Sequence, residues 1–355
     1  MISFIVPVYY ESEKSYIFTR ALRLINKFKK YPHHELIIVN SSKINNLNST
    51  LINVKIINLD NKYKLFSPAQ LRNEASKIAI HDYLFFLDVD LDFSNIFIKV
   101  LEKELIEQLE SNKKNFLMIP CLYLSDKGTN IFKKSENKQA MIEKLRESLL
   151  LGENTLVLRL ALNTSSILLK KDYFFEIGMF SDDFKGHGGE DFELLHRLAT
   201  LNPHSKKEDD YYIDEVNQFP YEYKGFRKYL IVYSLPYLFT NLLVVHLWHS
   251  RPLFNKFYFN RIKNETLLLD KMKKFDELNY FKNNVLWNVE KDFIDVKLMM
   301  NVLLKENGYI DEKFIGLKRY SNKVIIVKNP IGNKIRKLIT RPRQFFIDMI
   351  KNRYK

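Results

Sequence analysis

Between Ser3 and Phe93 the chain alternates continuous apolar runs with amphipathic ones, and few folds accommodate that order. In "SFIVPVYY", "HELIIVN", "VKIINL" and "YLFFLDVDLDF", β-branched, leucine and aromatic residues dominate. Apolar runs without polar alternation are strands buried on both faces. Between them, "KSYIFTRALRLINKF" carries Ile17, Leu22, Leu24, Ile25 and Phe28 at helical spacing. "SPAQLRNEASKIAI" opens with Pro68, where a missing N–H costs nothing. This order predicts an α/β fold with a mostly parallel central sheet covered on both faces. Ligands of such sheets bind beyond the carboxyl ends of the strands. The residues that end each apolar run are therefore the first candidates for function.

Further along, residues 95–110 read as a charged surface helix, "NFLMIPCLYL" as a strand and residues 136–151 as another helix. "NTSSILLKKDYFFEIGMF" reads as a strand and a turn, and the polar, aromatic stretch 202–228 as a surface excursion. Residues 229–245 carry no charge and reach the lower limit for a membrane span. Ser234, Pro236, Thr240 and Asn241 interrupt them. They are read as a short helix, a break at Pro236 and a buried strand "NLLVVHLW". From 251 to 310 the pattern is helical and amphipathic. Three regions follow: a sheet domain over 1–250, a helical extension over 251–327 and a basic tail over 328–355. The one cysteine, Cys121, excludes an intramolecular disulfide, and with no basic leader in view the expected compartment is the cytoplasm.

The net charge of +14 is unevenly placed. Residues 328–355 hold nine Lys/Arg and one acid, Asp348, so the tail supplies +8 and the other 327 residues only +6. A basic balance confined to one end, without a recognised binding motif, argues against nucleic acid as a partner.

Three segments carry chemistry. "FFLDVDLDF" puts Asp88, Asp90 and Asp92 at alternate positions, on one side of a strand for as long as the strand continues. Like charges so placed repel unless a cation sits among them, and hard oxygens suit Mg²⁺ or Mn²⁺; a solvated strand end with acids as turn formers is the other reading. "VVHLWHSRP" puts His246 and His249 after an apolar run, able to converge on a metal if the backbone turns there, or to be one buried and one exposed histidine. "GHGGEDFELLHRL" places three of only ten glycines within four positions, directly before Glu190 and Asp191 and a helical pattern. Acids there suit a helix N-terminus, and glycines there allow close approach of a ligand.

Taken together, these segments resemble the metal-dependent glycosyltransferases of the nucleotide-sugar-binding fold called GT-A, over about residues 1 to 251. "SFIVPVYYE" is similar to the opening strand of the family-2 type, whose Pro-Val-Tyr turn starts the uridine pocket. Pro7, Val8, Tyr9 and Glu11 are donor-binding on that resemblance. "AQLRNEASKIAIHDYLFFLDVDLDF" resembles the stretch from an Arg-Asn helix to an Asp-x-Asp motif. "GHGGEDFELLHRL" resembles the Gly-Trp-Gly-Gly-Glu-Asp motif of β-1,4-galactosyltransferases and bacterial chondroitin-type polymerases. "HLWHSR" stands in the place of their late metal-ligand segment.

The resemblance implies that Asp88 faces the ribose or uracil, that Asp90 binds Mn²⁺ or Mg²⁺ between the phosphates, and that His249, with His246 as a second candidate, completes the metal site. Arg72 falls close to the donor. Asp191 matches the catalytic base and Glu190 the carboxylate that contacts the acceptor sugar, with His187, Gly188 and Gly189 beside the acceptor. Two departures stand out. His187 replaces a tryptophan of the acceptor platform, and "IIVNSSK" replaces Asp-Asp-Gly-Ser, so that Asn40 would meet the uracil N–H through its amide oxygen. The implied activity is inverting transfer from a nucleoside-diphosphate sugar, a UDP-sugar by the motif, to a glycan or lipid-linked acceptor. A protein of the same fold that has lost activity and serves as an assembly partner is the alternative.

In the tail, Ile335, Leu338, Ile339, Phe345, Phe346, Met349 and Ile350 fall on one helical face, with a break expected at Pro342, and Lys and Arg fill the rest. Such a stretch suits an anionic membrane surface, or packs its stripe on the protein's own core. It is similar to endings of bacterial capsule-synthesis proteins. A peripheral enzyme of capsule or lipopolysaccharide synthesis, on the inner face of the plasma membrane, is expected.

Overall fold

The computed structural model describes residues 1–59, 66–215, 217–250, 260–283 and 293–321, and six further helical positions, Ile335, Leu338, Pro342, Phe345, Phe346 and Met349. The first half follows the predicted alternation. Strand β1 (Ile2–Val8) leads to helix α1 (Tyr16–Phe28), β2 (Glu35–Asn40), β3 (Val54–Asn58), α2 (Pro68–Ile78) and β4 (Tyr83–Phe86). Strands β3, β2, β1 and β4 lie side by side in parallel. Side chains alternate across this sheet, so Ile5 enters one apolar core while Phe4 and Val6 enter the other. Every residue of β1 and β2 is buried, which is why neither shows polar alternation.

Beyond β4 the chain passes through β5 (Leu91–Asp92), α3 (Phe97–Glu104), β6 (Phe116–Met118), β7 (Cys121–Leu124), α4 (Asp126–Lys134), α5 (Lys138–Leu150), β8 (Val157–Ala161), β9 (Ile167–Lys170) and α6 (Lys171–Glu176). Then come α7 (Glu190–Leu201), a short ribbon of β10 (Asp214–Glu215) and β11 (Lys224–Gly225), α8 (Phe226–Leu230), β12 (Val244–His246), α9 (Arg261–Asn283) and α10 (Val296–Glu306). β9 joins the main sheet antiparallel to β4, and β6 pairs antiparallel with β9. A second sheet, ordered β5-β12-β7-β8, stands beside the carboxyl ends of the first.

Several expectations change. The run "YLFFLDVDLDF" is not one strand. It leaves the main sheet after Phe86, turns with Leu91 N–H donating to the Asp88 carbonyl (3.0 Å), and pairs again in the second sheet. "NFLMIPCLYL" is likewise two strands in two sheets, parted at Ile119 and Pro120. The helix over 95–110 is not wholly a surface element: it buries Phe97, Ile98, Leu101, Leu105 and Leu109 and ends in a π-helical stretch, Leu105–Glu110. The 202–228 segment is no free excursion either, because Tyr211 and Phe226 enter the core. The uncharged segment after it folds as α8, two 3₁₀ turns around Pro236 and β12. Among the described residues no helix is long and apolar enough to cross a membrane.

α9 lies along α7 and is fastened to it by a buried polar cluster. Asp276 accepts from Lys207 Nζ (2.6 Å) and Tyr212 Oη (2.7 Å), and its Oδ1 lies 3.2 Å from His196 Nε2. The helix that begins with Glu190 and Asp191 is thereby held from its far side.

Candidate active site

At the carboxyl end of β1, Tyr9 is half-buried with its ring 5.9 Å from that of Phe66, and Glu11 is exposed. Pro7 and Val8 are buried in the strand itself. Asn40, at the end of β2, does not open onto this surface. It is wholly buried; its Oδ1 accepts from Ser42 N–H (2.9 Å), and its Nδ2 donates to the Ile44 carbonyl and Asn58 Oδ1 (2.9 Å each). The amide thus braces the loop that follows β2 and the end of β3.

The three aspartates part company where the strand breaks. Asp88 accepts from Arg72 Nη2 (2.7 Å) and Ser165 Oγ (2.8 Å). Asp90 turns toward the histidines. Asp92 is buried on the far side with Lys27 and Arg23, and there it fastens α1. Burial works to raise the Asp92 pKa, but the charges of Arg23 and Lys27 outweigh it and leave the carboxyl below its ordinary value. The expectation of three carboxylates on one face is thus overturned by the turn at 88–91, which leaves Asp88 beside Arg72 and Asp90 beside the histidines.

Asp90, His246 and His249 come together: one ligand atom from each lies within 4.8 Å of the others. The turn that aims both imidazoles is held through the backbone, since Leu247 N–H donates to the Asp90 carbonyl (2.9 Å) and Trp248 N–H to Thr129 Oγ1 (2.7 Å). The His246 ring is stacked on Tyr123, centroids 4.3 Å apart. His249 Nδ1 lies 3.0 Å from the Ser250 carbonyl, which can only accept, so in the neutral ring Nε2 is the lone pair. That lone pair faces Asp90 Oδ2 at 3.4 Å. Two electron-rich atoms so placed are the arrangement a cation relieves, and a carboxylate with two imidazoles fits Mn²⁺ better than the all-oxygen preference of Mg²⁺.

Across the site stands the glycine loop. Gly188 and Gly189 have φ of +92° and +103°, where side-chain-bearing residues are strained. A Cβ on Gly189 would meet Phe184 Cε1 at 2.5 Å, whereas one on Gly188 would point into open space. The loop is clasped from the C-terminal helices: Asn264 Nδ2 donates to the carbonyls of Lys185 (3.0 Å) and His187 (3.3 Å). His187 itself is half-buried at the loop's crest.

Glu190 and Asp191 then open α7, with Gly189 as the cap. Arg72 is the hinge of the site. Its buried guanidinium gives Nη1 to Asp191 Oδ1 (2.7 Å) and Nη2 to Asp88 Oδ1, with Glu190 Oε1 at 3.9 Å. Burial would lower the Arg72 pKa, but Asp191, Asp88 and Glu190 raise it above its ordinary value. The Asp191 side chain keeps 27% exposure and Glu190 only 6%. Burial, then the neighbouring Asp191 charge, pushes the Glu190 carboxyl up to about 8. Burial also raises Asp191, against the pull of Arg72. Glu190 Oε2 is buried without a hydrogen-bond partner among the described residues, consistent with a protonated carboxyl.

Ser165, Asn264 and Thr129 were invisible in the sequence as site residues. Each is an ordinary residue delivered by tertiary packing, and no local pattern marks it. Arg72, singled out in the sequence through its Arg-Asn helix, is placed between Asp88 and Asp191.

A sheet of four parallel strands extended by β9 and β6 thus carries a forked arginine, a carboxylate–imidazole cluster and an acidic helix start. Residues 3–274 match the family described as glycosyltransferase like family 2. The chain belongs to that family, and so groups with the glycosyltransferases. A search of curated proteins returned no match. Similar solved structures include the catalytic domain of Drosophila β1,4-galactosyltransferase 7 in complex with xylobiose (16% identity, TM-score 0.28, covering 55% of this chain and 59% of that one). S. aureus TarS 1–349 is another (14% identity, TM-score 0.35, covering 79% and 93%). A third is the Pyrobaculum calidifontis mannosyltransferase PcManGT in complex with GDP-Man and Mn²⁺ (10% identity, TM-score 0.38, covering 79% and 71%). The chain thus spans about three-fifths of the fly structure.

Proposed function

We propose that the protein transfers a sugar from a nucleoside-diphosphate donor, of the UDP-sugar class, to a glycan acceptor by a single displacement with inversion. The observation that carries this reading is the convergence of Asp90, His246 and His249 within 4.8 Å, on the same sheet edge that Arg72 ties to Asp191. The donor lies at the carboxyl ends of β1 and β4, against Tyr9 and Asp88. Asp90, His249 and His246 would hold Mn²⁺ or Mg²⁺, which would supply positive charge against the departing diphosphate.

The chain's own residues supply the rest. Asp191 keeps an open edge and accepts the proton of the attacking acceptor hydroxyl. As the acceptor oxygen bonds to the anomeric carbon, the bond from that carbon to the diphosphate oxygen breaks and its electron pair leaves with the diphosphate. Arg72 fixes Asp191 relative to Asp88, so base and donor are aligned in advance. Glu190, protonated at neutral pH, donates a hydrogen bond to an acceptor sugar oxygen. His187 and the open side of Gly188 shape the acceptor's approach.

Screening UDP-sugars and other nucleotide sugars for Mn²⁺-dependent hydrolysis and transfer tests the reading. Asp191→Asn is expected to lower transfer by roughly 10²–10⁴-fold while donor binding persists. Full activity in that variant would sink the assignment of the base. The tail extends the proposal to a lipid-linked acceptor at an anionic membrane. Ile335, Leu338, Phe346 and Met349 are exposed apolar residues in helical conformation within the most basic stretch of the chain; Ile339 and Ile350 lie outside the described residues. Capsule or lipopolysaccharide synthesis at the inner face of the plasma membrane is the setting this suits.

A further inference from the structure

Two residues of α1 reach both ends of the carboxylate–imidazole cluster. Arg20 is buried, with a side chain 6% exposed. Its Nη1 donates to Asp90 Oδ1, and its Nη2 donates to the Trp248 carbonyl (2.7 Å). One planar fork therefore joins the loop that carries Asp90 to the turn that carries His249. One helical turn earlier, Tyr16 is stacked on the His249 ring, with centroids 4.7 Å apart and planes 17° apart. The Arg20 guanidinium lies 4.8 Å from the same tyrosine's ring centre. Arg20, Tyr16, His249 and Asp90 form a closed circuit.

The circuit leaves specific atoms available. Arg20 takes Oδ1 of Asp90, so Oδ2 is the oxygen turned toward His249 Nε2. Lysine could match the charge but not the fork, because an ammonium cannot hold two acceptors in one fixed plane. Outer contacts of this kind orient metal ligands and set their affinity.

We propose that Arg20 and Tyr16 are positioning residues for the divalent cation: Arg20 presents Asp90 Oδ2, and Tyr16 sets the plane of His249. The proposal rests on the reading of Asp90, His246 and His249 as a cation site.

The test is Mn²⁺ binding to the full chain without donor, read as free Mn²⁺ by EPR and repeated by calorimetry. The proteins are the wild type, Arg20→Ala, Arg20→Lys, Tyr16→Phe, Tyr16→Ala and His249→Ala. Arg20→Ala and Tyr16→Ala are expected to weaken binding about 10–100-fold. Arg20→Lys is expected to recover only part of that loss, and Tyr16→Phe, which keeps the ring, nearly all of it. Melting in chelator separates general destabilisation from lost affinity. If Arg20→Ala fails to fold, the lysine and tyrosine variants still decide. Unchanged or tighter Mn²⁺ binding in folded Arg20 and Tyr16 variants overturns the proposal and leaves the cation site standing; tighter binding would show that Arg20 competes with the ion. Wild-type protein that binds no Mn²⁺, or binds it equally well as His249→Ala, overturns both.

Discussion

Arg72 and Asp191 lie 119 positions apart in sequence and are joined by a 2.7 Å hydrogen bond, while the same guanidinium holds Asp88. Asp88, proposed to face the donor, and the proposed base thus share one buried cation. Removing it, as in Arg72→Met, takes the counter-charge from Asp191 and Asp88, which keep 27% and 45% exposure, so the cost is expected to fall below the about 3–5 kcal/mol of a broken fully buried pair. Losing a cation also raises the pKa of its carboxylate neighbours. The acidic limb of the pH–rate profile is expected to move to higher pH in Arg72→Met, and by less in Arg72→Lys, which keeps a charge but cannot fork. Initial rates across pH, with melting curves, check both effects.

Glu190 gives a pH effect on stability. Its carboxyl sits at about 8 in the folded protein, raised by burial and by Asp191, against an ordinary value near 4.5 when unfolded. The folded state binds this proton more tightly, so the group's stabilising contribution is complete below the unfolded value and is lost as pH rises through the folded one. Glu190→Gln, which keeps the shape without the ionisation, is expected to melt higher than wild type at pH 9, with the gap closing toward pH 5. Melting temperatures at several pH values measure this, and a gap independent of pH would refute the assignment.

The glycine pair separates strain from collision. At Gly188 an added methyl meets open space and only the φ of +92° is unfavourable, so Gly188→Ala is expected to cost about 1–3 kcal/mol. At Gly189 the same methyl also meets Phe184 at 2.5 and 2.8 Å. Gly189→Ala should therefore lose more stability and displace the start of α7, with transfer falling further than in Gly188→Ala. Urea unfolding and initial rates of the two variants make the comparison.

What could be read from the sequence depended on how local each signal was. β1, β2 and β4 were legible because burial on both faces removes polar residues, and α1 and α2 because one face must be apolar. The fate of Asp88, Asp90 and Asp92 was not, because side-chain alternation holds only while a strand continues, and this one turns between Asp88 and Leu91. The bracing role of Asn40 was not legible for a different reason: an amide can satisfy a loop as readily as a ligand, and here Ser42, Ile44 and Asn58 engage it. The convergence of His246 and His249 hinged on a backbone turn whose anchors, Thr129 and the Asp90 carbonyl, lie far away in sequence.

The basic tail yields a separable prediction. Deleting residues 328–355 removes a net charge of +8 and leaves the described sheets and their site residues in place. Each basic residue near an anionic surface contributes on the order of 1 kcal/mol. The truncated chain is expected to stop sedimenting with phosphatidylserine vesicles, while the full chain binds them in a salt-sensitive way. Persistent sedimentation of the truncated chain would move the stripe from the membrane to the protein's own core.

The last prediction concerns how α7 is held. Asp276 of α9 is 5% exposed and meets Lys207, Tyr212 and His196. Burial works against its charge, but His196 and Lys207 outweigh this and keep the carboxyl below its ordinary range. Asp276→Ala leaves the Lys207 ammonium buried without its partner, which costs about 3–5 kcal/mol. Because α9 also carries Asn264, whose amide clasps the Lys185 and His187 carbonyls, loosening α9 should reach the glycine loop. Asp276→Ala is thus expected to lower both the melting temperature and the transfer rate. Asn264→Ala, which spares the buried ion pair, should lower the rate with a smaller loss of stability. If Asn264→Ala destabilises the protein as much as Asp276→Ala and leaves the rate of the folded fraction unchanged, α9 supports the fold and not the loop.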